Sequence, residues 1–415
     1  MRVVKFGGSS VADAARMRHV AAIVAELRAQ GPVAVVVSAM AGVTDALIRV
    51  GQSAIAGDPR VTERLEDVAL RHHEAWAALS GAPPAEFERL WAALTTEAHT
   101  LARRGAGQDV AARERLVARF SGWGERLVVS LLAAALREAG LTAEAFTEAP
   151  VTLHGAAGAE TEPEPSPLAT RALLLPRLAM LVMRGGVPVL PGYIARDTAG
   201  ALTTLGRNGS DHSAAVIAAA LGAERLTIYS DVPGMLTADP RVAPDATLLP
   251  ALTYDEAQRM ATLGARALHP RTIEPVARWG IPLELRATET PHAPGTDIMP
   301  ESAQPWGRAR DGAWIVAARP LASDARLAEV TAAWLPTWPL SEDAAIQGAC
   351  DNTNAALSDL SLPDLRVREV TFTADSVRLL VDAAYANMAV RALHTALRGQ
   401  LAQRVAPTAA QAAGA

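Results

Sequence analysis

Thr203–Ser213, TTLGRNGSDHS, is the stretch on which the reading of this chain turns, and Val3–Val11, VVKFGGSSV, is its partner. Each is a polar, glycine-containing run that follows an apolar strand-like segment and opens an apolar helix. That layout suits phosphate: backbone N–H groups at glycines and at a helix start point at an anion, and the helix dipole favours negative charge there.

Working outward from the N-terminal run, Arg2–Phe6 reads as a strand, and Val11–Arg28 carries Met17, Val20, Ile23, Val24 and Leu27 at helical spacing. Pro32–Ser38 (PVAVVVS) is a near-continuous apolar run, suited to a central parallel strand covered on both faces. Strand, loop, helix, strand at this spacing is a βαβ unit, whose ligands gather at the carboxyl ends of the strands. Val61–Leu79, Ala85–Arg103 and Asp109–Phe120 are helical by periodicity, as is Arg126–Ala139. Leu141–Phe146 reads as a strand, 156–167 as an acidic, Pro-rich loop, Leu168–Arg184 as a helix, and Val187–Ala195 as one buried strand with a Pro-Gly kink. Beyond TTLGRNGSDHS come an apolar helix (Ala214–Leu221), a strand (Arg225–Tyr229), a turn-rich segment (Thr237–Arg241), helices over Asp255–Leu263 and Pro270–Trp279, and a strand over Ile281–Ala287. This alternation predicts one α/β domain over 1–300 with a central, mostly parallel sheet. Residues 301–312 read as a linker, 313–405 as a small α+β module with strands at Ala313–Ala318 and Glu369–Val381 and a helix at Ala386–Leu401, and the Ala-rich 406–415 as a frayed tail.

Composition narrows the function classes. The formal net charge is −5 over 415 residues, so no global basic field draws nucleic acid or membrane. Cys350 is the one cysteine, which excludes a disulfide framework and fits a reducing compartment. No stretch approaches the roughly 20 apolar residues of a membrane span, and the N-terminus lacks the features of a signal peptide, so a cytoplasmic protein is expected.

Several residues have chemistry to offer. Gly7 and Gly8 let backbone approach a phosphate, Ser9 can donate a hydroxyl, and Lys5 brings a compact cation to oxygens in transfer. Arg207 offers a planar fork for a carboxylate. Ser210 and Asp211 stand where a helix begins, so each reads also as a helix cap, and Asp211 as an organiser of Lys5 or of a metal ion. Ser38 and Thr44 stand at a strand end and Glu125 at a helix start, where they can bind substrate backbone groups and pair with an amino group, and where each reads also as ordinary loop and first-turn chemistry. Ser230, Asp231 and Arg241 supply acceptors and a cation for a nucleotide, and read also as parts of plain turns. There is no Walker loop, no GxSxG elbow and no spacing for a protein-only metal cage, so Mg²⁺ would arrive with the nucleotide.

Taken in order, VKFGGSSVAD, SAMAGVTD, GERL, TTLGRNGSDHSAA, YSDVPGMLTADPR and ATLGARALHPRTIEPV resemble the aspartate kinases of the amino-acid kinase superfamily. The resemblance covers residues 1 to about 300 and implies the amino-acid kinase fold, a three-layer αβα arrangement, with transfer of the ATP γ-phosphate to the β-carboxylate of L-aspartate in amino-acid biosynthesis. It implies that Lys5, Gly7, Gly8 and Ser9 hold phosphates, and that Ser38, Thr44, Glu125, Arg207 and Ser210 bind aspartate, Arg207 at its α-carboxylate and Glu125 at its amino group. The resemblance also implies that Asp211 organises Lys5 or the metal region, and that Ser230, Asp231, Leu236, Arg241, Arg266 and Ala267 contact the nucleotide. A homodimer or higher homo-oligomer is expected on the same ground. Three positions depart from the family pattern: Arg266 replaces a lysine, Leu236 replaces an aromatic residue, and the C-terminal module, ACT-like over Val370–Val381 and Met388–Leu397, is reduced, with no recognisable effector loop. These departures keep two alternatives open, a related kinase with a shifted acceptor and a catalytically silent paralogue.

Overall fold

β1 (Arg2–Phe6) sits in mid-sheet, and its five residues set the frame for everything described below. The computed structural model describes residues 1–154, 164–206, 208–265, 267–300, 313–335, 367–373 and 376–405. Arg207, Arg266, Cys350, the expected linker 301–312 and the tail 406–415 lie outside the described residues.

A 3₁₀ turn (Gly8–Val11) follows β1, then α1 (Ala14–Gln30), β2 (Val33–Val37) and five helices: α2 (Val43–Ala56), α3 (Val61–Ser80), α4 (Ala85–Gly105), α5 (Val110–Ser121) and α6 (Trp123–Glu138). Next come β3 (Ala143–Ala145), β4 (Val151–His154), β5 (Glu164–Pro165), α7 (Pro167–Met183), β6 (Val187–Pro191), β7 (Ile194–Arg196), β8 (Leu202–Thr204), α8 (Gly209–Leu221) and β9 (Arg225–Ser230). The remainder is β10 (Ala251–Thr253), α9 (Tyr254–Leu263), α10 (Pro270–Arg278), β11 (Leu283–Ala287), β12 (Thr296–Met299), β13 (Ala313–Leu321), β14 (Asp324–Leu335), β15 (Val367–Thr373), β16 (Ser376–Asp382) and α11 (Ala386–Val405).

The chain groups into two compact units, Met1–Pro233 with Arg271–Asp297, and Gly234–Pro270 with Ile298–Ala415. In the first, strands run in the order β11-β9-β1-β2-β6-β3, and all five pairings are parallel. Parallel strands buried on both faces need helices on each side, and the sheet has them. Val4, Phe6, Val33, Val35 and Val37 join one core with Met17, Val20 and Val24 of α1 and Leu127 and Leu131 of α6. On the other face α8 packs against β1, β2 and β9. Because side chains alternate along a strand, Lys5 lies between Val4 and Phe6 and points away from the α1/α6 core, toward α8. A small second sheet, β5-β4-β7-β8, completes this unit.

Three expectations are corrected in detail. Ser38 and Thr44 do not share a strand end: Ser38 follows β2, whereas Thr44 already lies in α2, which the chain enters at Val43 after Gly42 turns it at φ 76°. Val187–Ala195 is two strands, since Tyr193 takes φ 63° after Gly192 and moves β7 into the second sheet. Glu369–Val381 is a hairpin, β15 paired antiparallel with β16.

The second unit carries the antiparallel sheet β13-β14-β16-β15 and α11. Its core joins Val330, Leu379, Leu393 and Leu397 to Ala238 and Ala243, which come from well before the module expected from sequence. Thr237 Oγ1 and His394 Nε2 meet at 3.0 Å in that core, and His394 Nδ1 lies 3.4 Å from Asp245.

Candidate active site

Since β2, β1, β9 and β11 run the same way, Ser38, Gly7, Ser230 and Thr288 arrive along one edge of the sheet. Lys5 Nζ forms an ion pair with Asp211 at 2.5 Å, and both side chains are largely enclosed, 9% and 16% exposed. Asn208, in the left-handed conformation (φ 57°), is the N-cap of α8, so Asp211 is not the cap. It lies in the first turn of α8 with its carboxylate on Lys5. Ser210 is buried beside it.

Two adjacent glycines serve different ends. A Cβ on Gly8 would come 2.7 Å from the Ala39 carbonyl oxygen, so only glycine lets the 3₁₀ turn lie against the Ser38–Met40 segment. A Cβ on Gly7 would meet nothing closer than 3.7 Å, at φ −72°, and its nearest neighbours include Lys5 Nζ and Ser9 Oγ. The space kept clear at Gly7 is therefore beside the lysine ammonium. The turn is pinned on several sides: Gly7 N–H donates to Tyr229 O, Ala41 N–H to Gly8 O, Ser10 N–H to Gly7 O, and Arg16 Nη1 to Ser9 O. The pinned turn thus lies beside the Lys5 ammonium, whose charge Asp211 balances, at the carboxyl end of the strands.

Glu125, in the first turn of α6, is 2% exposed. Its Oε1 accepts from Ala39 N–H at 3.2 Å, while Oε2 has no protein partner. Burial pushes its carboxyl up to about 8, against the opposing pull of the Ala39 N–H, of its own backbone N–H and of the Lys5 charge. A buried carboxylate with one unused oxygen is costly unless a cation completes it. Thr44 stands half-buried in the first turn of α2, and Ser38 half-buried at the end of β2.

The structure thus gathers Lys5, Gly7, Gly8, Ser9, Ser38, Glu125, Ser210 and Asp211 around the edge that starts at β1 and β2. Ser230 ends β9, with Oγ turned to Val232, and Asp231 beyond it is exposed. Leu236, Arg241 and Ala267 fall in the second unit, where Leu236 bridges Leu248 and Arg241 folds onto Asp239 of its own turn at 2.8 Å. Sequence reasoning passed over three participants. One is the Ala39 N–H, invisible because it is backbone. Another is Tyr193, whose left-handed backbone is marked in sequence only by the preceding Pro-Gly, and whose hydroxyl meets Ser121 Oγ at 3.1 Å. The third is Thr288, which no motif contains.

Residues 1–286 match the model of the amino acid kinase family. The chain is 37% identical over 297 residues to the bifunctional aspartokinase/homoserine dehydrogenase 2 of Escherichia coli (strain K12), covering 71% of this chain and 35% of that one. It is 34% identical over 310 residues to lysine-sensitive aspartokinase 3 of the same organism, covering 73% of this chain and 65% of the relative. These curated relatives are therefore matched over less than two thirds of their own length. A crystal structure of E. coli aspartokinase III in complex with aspartate and ADP superposes with a TM-score of 0.65 at 28% identity, over 93% of this chain and 80% of that chain. No described helix is long and apolar enough to cross a membrane. With two thirds of its length matched by the family model, the chain belongs to the amino acid kinase family.

Proposed function

We propose that this chain is an aspartate kinase, transferring the γ-phosphate of ATP to the β-carboxylate of L-aspartate. The observation that carries the reading is the juxtaposition of the buried Lys5–Asp211 pair with Glu125, a buried carboxylate that keeps one oxygen without a protein partner. The solved relative holding aspartate and ADP supports the same pair of ligands.

The chemistry asks little of a base. A carboxylate is ionised at neutral pH and is its own nucleophile: one oxygen attacks the γ-phosphorus, the bond to the bridging oxygen breaks, and ADP leaves with the electron pair. The protein's work is positioning and charge neutralisation. Lys5 supplies the cation at the phosphoryl oxygens, and Asp211 holds the ammonium on the α8 side of β1. Gly7 leaves room for phosphate, and the pinned turn fixes its height. Glu125 takes the α-amino group of the acceptor, with Ser38, Thr44 and Ser210 around it and Arg207 at the α-carboxylate. Ser230, which ends β9, and Asp231 just past it add contacts to the nucleotide. Mg²⁺ carried by the nucleotide would neutralise phosphate charge, being an ion that prefers one or two carboxylates plus substrate phosphates, and exposed Asp231 would offer it an oxygen.

The test is ADP release from Mg·ATP across a panel of acidic amino acids, with the acyl phosphate trapped as a hydroxamate by hydroxylamine. Turnover is expected with L-aspartate. Turnover only with a longer or shorter acidic amino acid would shift the acceptor, and nucleotide binding without turnover on any of them would show a silent paralogue.

A further inference from the structure

Thr288 lies one residue past β11 and is 4% exposed, yet every polar group it owns is engaged with a different element. Its N–H donates to Ser230 O at the end of β9 (2.8 Å). Its hydroxyl meets Ser10 Oγ at 2.6 Å, where Ser10 is itself 3% exposed. Its carbonyl lies 2.7 Å from His19 Nε2 on α1. A carbonyl only accepts, so His19 Nε2–H is the donor of this bond. One threonine therefore ties together the end of β9, the turn after β1 and the first half of α1.

We propose that Thr288 is a positioning residue for the phosphate-holding turn. Ser10 is the last polar residue of that turn, two positions after Gly8, whose carbonyl already binds Ala41 N–H. With Gly8 set against Ala39 on the β2 side, the Ser10–Thr288 bond restrains the opposite side of the turn against β11 and β9. The turn is then stretched between two strand ends, with Gly7 and Ser9 in the middle, beside Lys5. His19 acts at one remove, by fixing the Thr288 carbonyl. This inference rests on the reading that the turn holds nucleotide phosphates.

The experiment uses the full chain with four changes, Thr288→Val, Thr288→Ser, Ser10→Ala and the double variant Ser10→Ala/Thr288→Val, and reads steady-state kinetics, melting temperature and Mg·ADP affinity by calorimetry. Thr288→Val keeps the shape but leaves the Ser10 hydroxyl buried without its partner, and is expected to raise KM for Mg·ATP by about tenfold while KM for the acceptor stays within about twofold. Thr288→Ser restores the bond and should bring KM for Mg·ATP back to within about threefold of the parent. The double variant removes both hydroxyls, so it should melt near the parent temperature yet keep the raised KM, because the tether is still absent. Parental KM for Mg·ATP in Thr288→Val, or recovery of both melting and KM in the double variant, would overturn the proposal. If the parent binds Mg·ADP but turns over no acceptor, the aspartate kinase reading falls and the same comparison is made on ADP affinity. If the parent binds neither nucleotide, this inference falls with it.

Discussion

Glu125 shows how one residue can be read half from sequence and half only from structure. Its place in GERL marks a carboxylate at a helix start, but only its burial explains why it holds its proton up to about pH 8. With its carboxyl pushed up to about 8 by burial, Glu125 favours the neutral form at pH 7, and an ammonium brought beside it drives ionisation. Aspartate binding at pH 7 should therefore release about one proton per site, a release that fades as pH rises past about 8. Calorimetry in buffers of different ionisation enthalpy measures this, and zero release at pH 7 would refute the ammonium role. The same raised value sets a stability trend. Stability from the neutral form is complete below the ordinary carboxylate value of 4.5 and is lost as pH rises through about 8, so Glu125→Gln should melt above the parent at alkaline pH. The neighbouring glycines allow a contrast. Gly7→Ala has room and an ordinary backbone, so it should fold normally while raising KM for Mg·ATP by about tenfold. Gly8→Ala meets the Ala39 carbonyl and should lose about 1–3 kcal/mol of stability. Thermal melts and ATP titrations of both variants decide this, and equal behaviour would show that the space at Gly7 holds nothing.

Elements were legible where pattern is strong. The apolar runs of β1 and β2 and the periodic α3, α4 and α5 stand close to where periodicity places them. Elements set by tertiary contact were not. β7 and β14 have no isolated signature, because one exists through the turn at Tyr193 and the other through pairing with β13 and β16. The α3–α4 pair holds a buried histidine whose behaviour follows from packing alone. His72 sits against Phe87 and Trp91, its Nδ1–H donates to Val68 O, and burial pushes it down to about 4. A folded value below the unfolded 6.5 means that stability is fully present above 6.5 and is lost as pH falls toward about 4. Melting of the parent should therefore drop more steeply between pH 6.5 and 4 than melting of His72→Phe. Parallel curves for the two would mean that His72 is hydrated in solution.

At the scale of the whole molecule, the expected boundary near residue 300 bears on how the protein can be divided. Ala238 and Ala243 are buried with Val330, Leu379 and Leu393, and Thr237 N–H and Oγ1 bond within the same unit to Thr247 and His394. A chain ending at residue 300 would leave that apolar face without cover and would take His394 away from the Thr237 hydroxyl. Such a truncation should bind hydrophobic dye and aggregate on heating. A soluble 1–300 fragment with a single cooperative melt and parental nucleotide affinity would show that the second unit's core is dispensable.

By itself the sequence determined the chemistry on offer and its order: two glycine-bearing runs at strand–helix junctions, a lysine in β1, a carboxylate in GERL, and a parallel α/β layout. Those are local properties, carried by side-chain type, period and turn residues, and they survive without coordinates. Only the tertiary structure decided which groups meet. Strand alternation and the packing of α8 bring Asp211, more than two hundred residues away in sequence, to Lys5, burial makes Glu125 a proton-holding group, and three hydrogen bonds make Thr288 a tether. Each depends on distance in space and on exclusion of water, which no spacing along a chain can express.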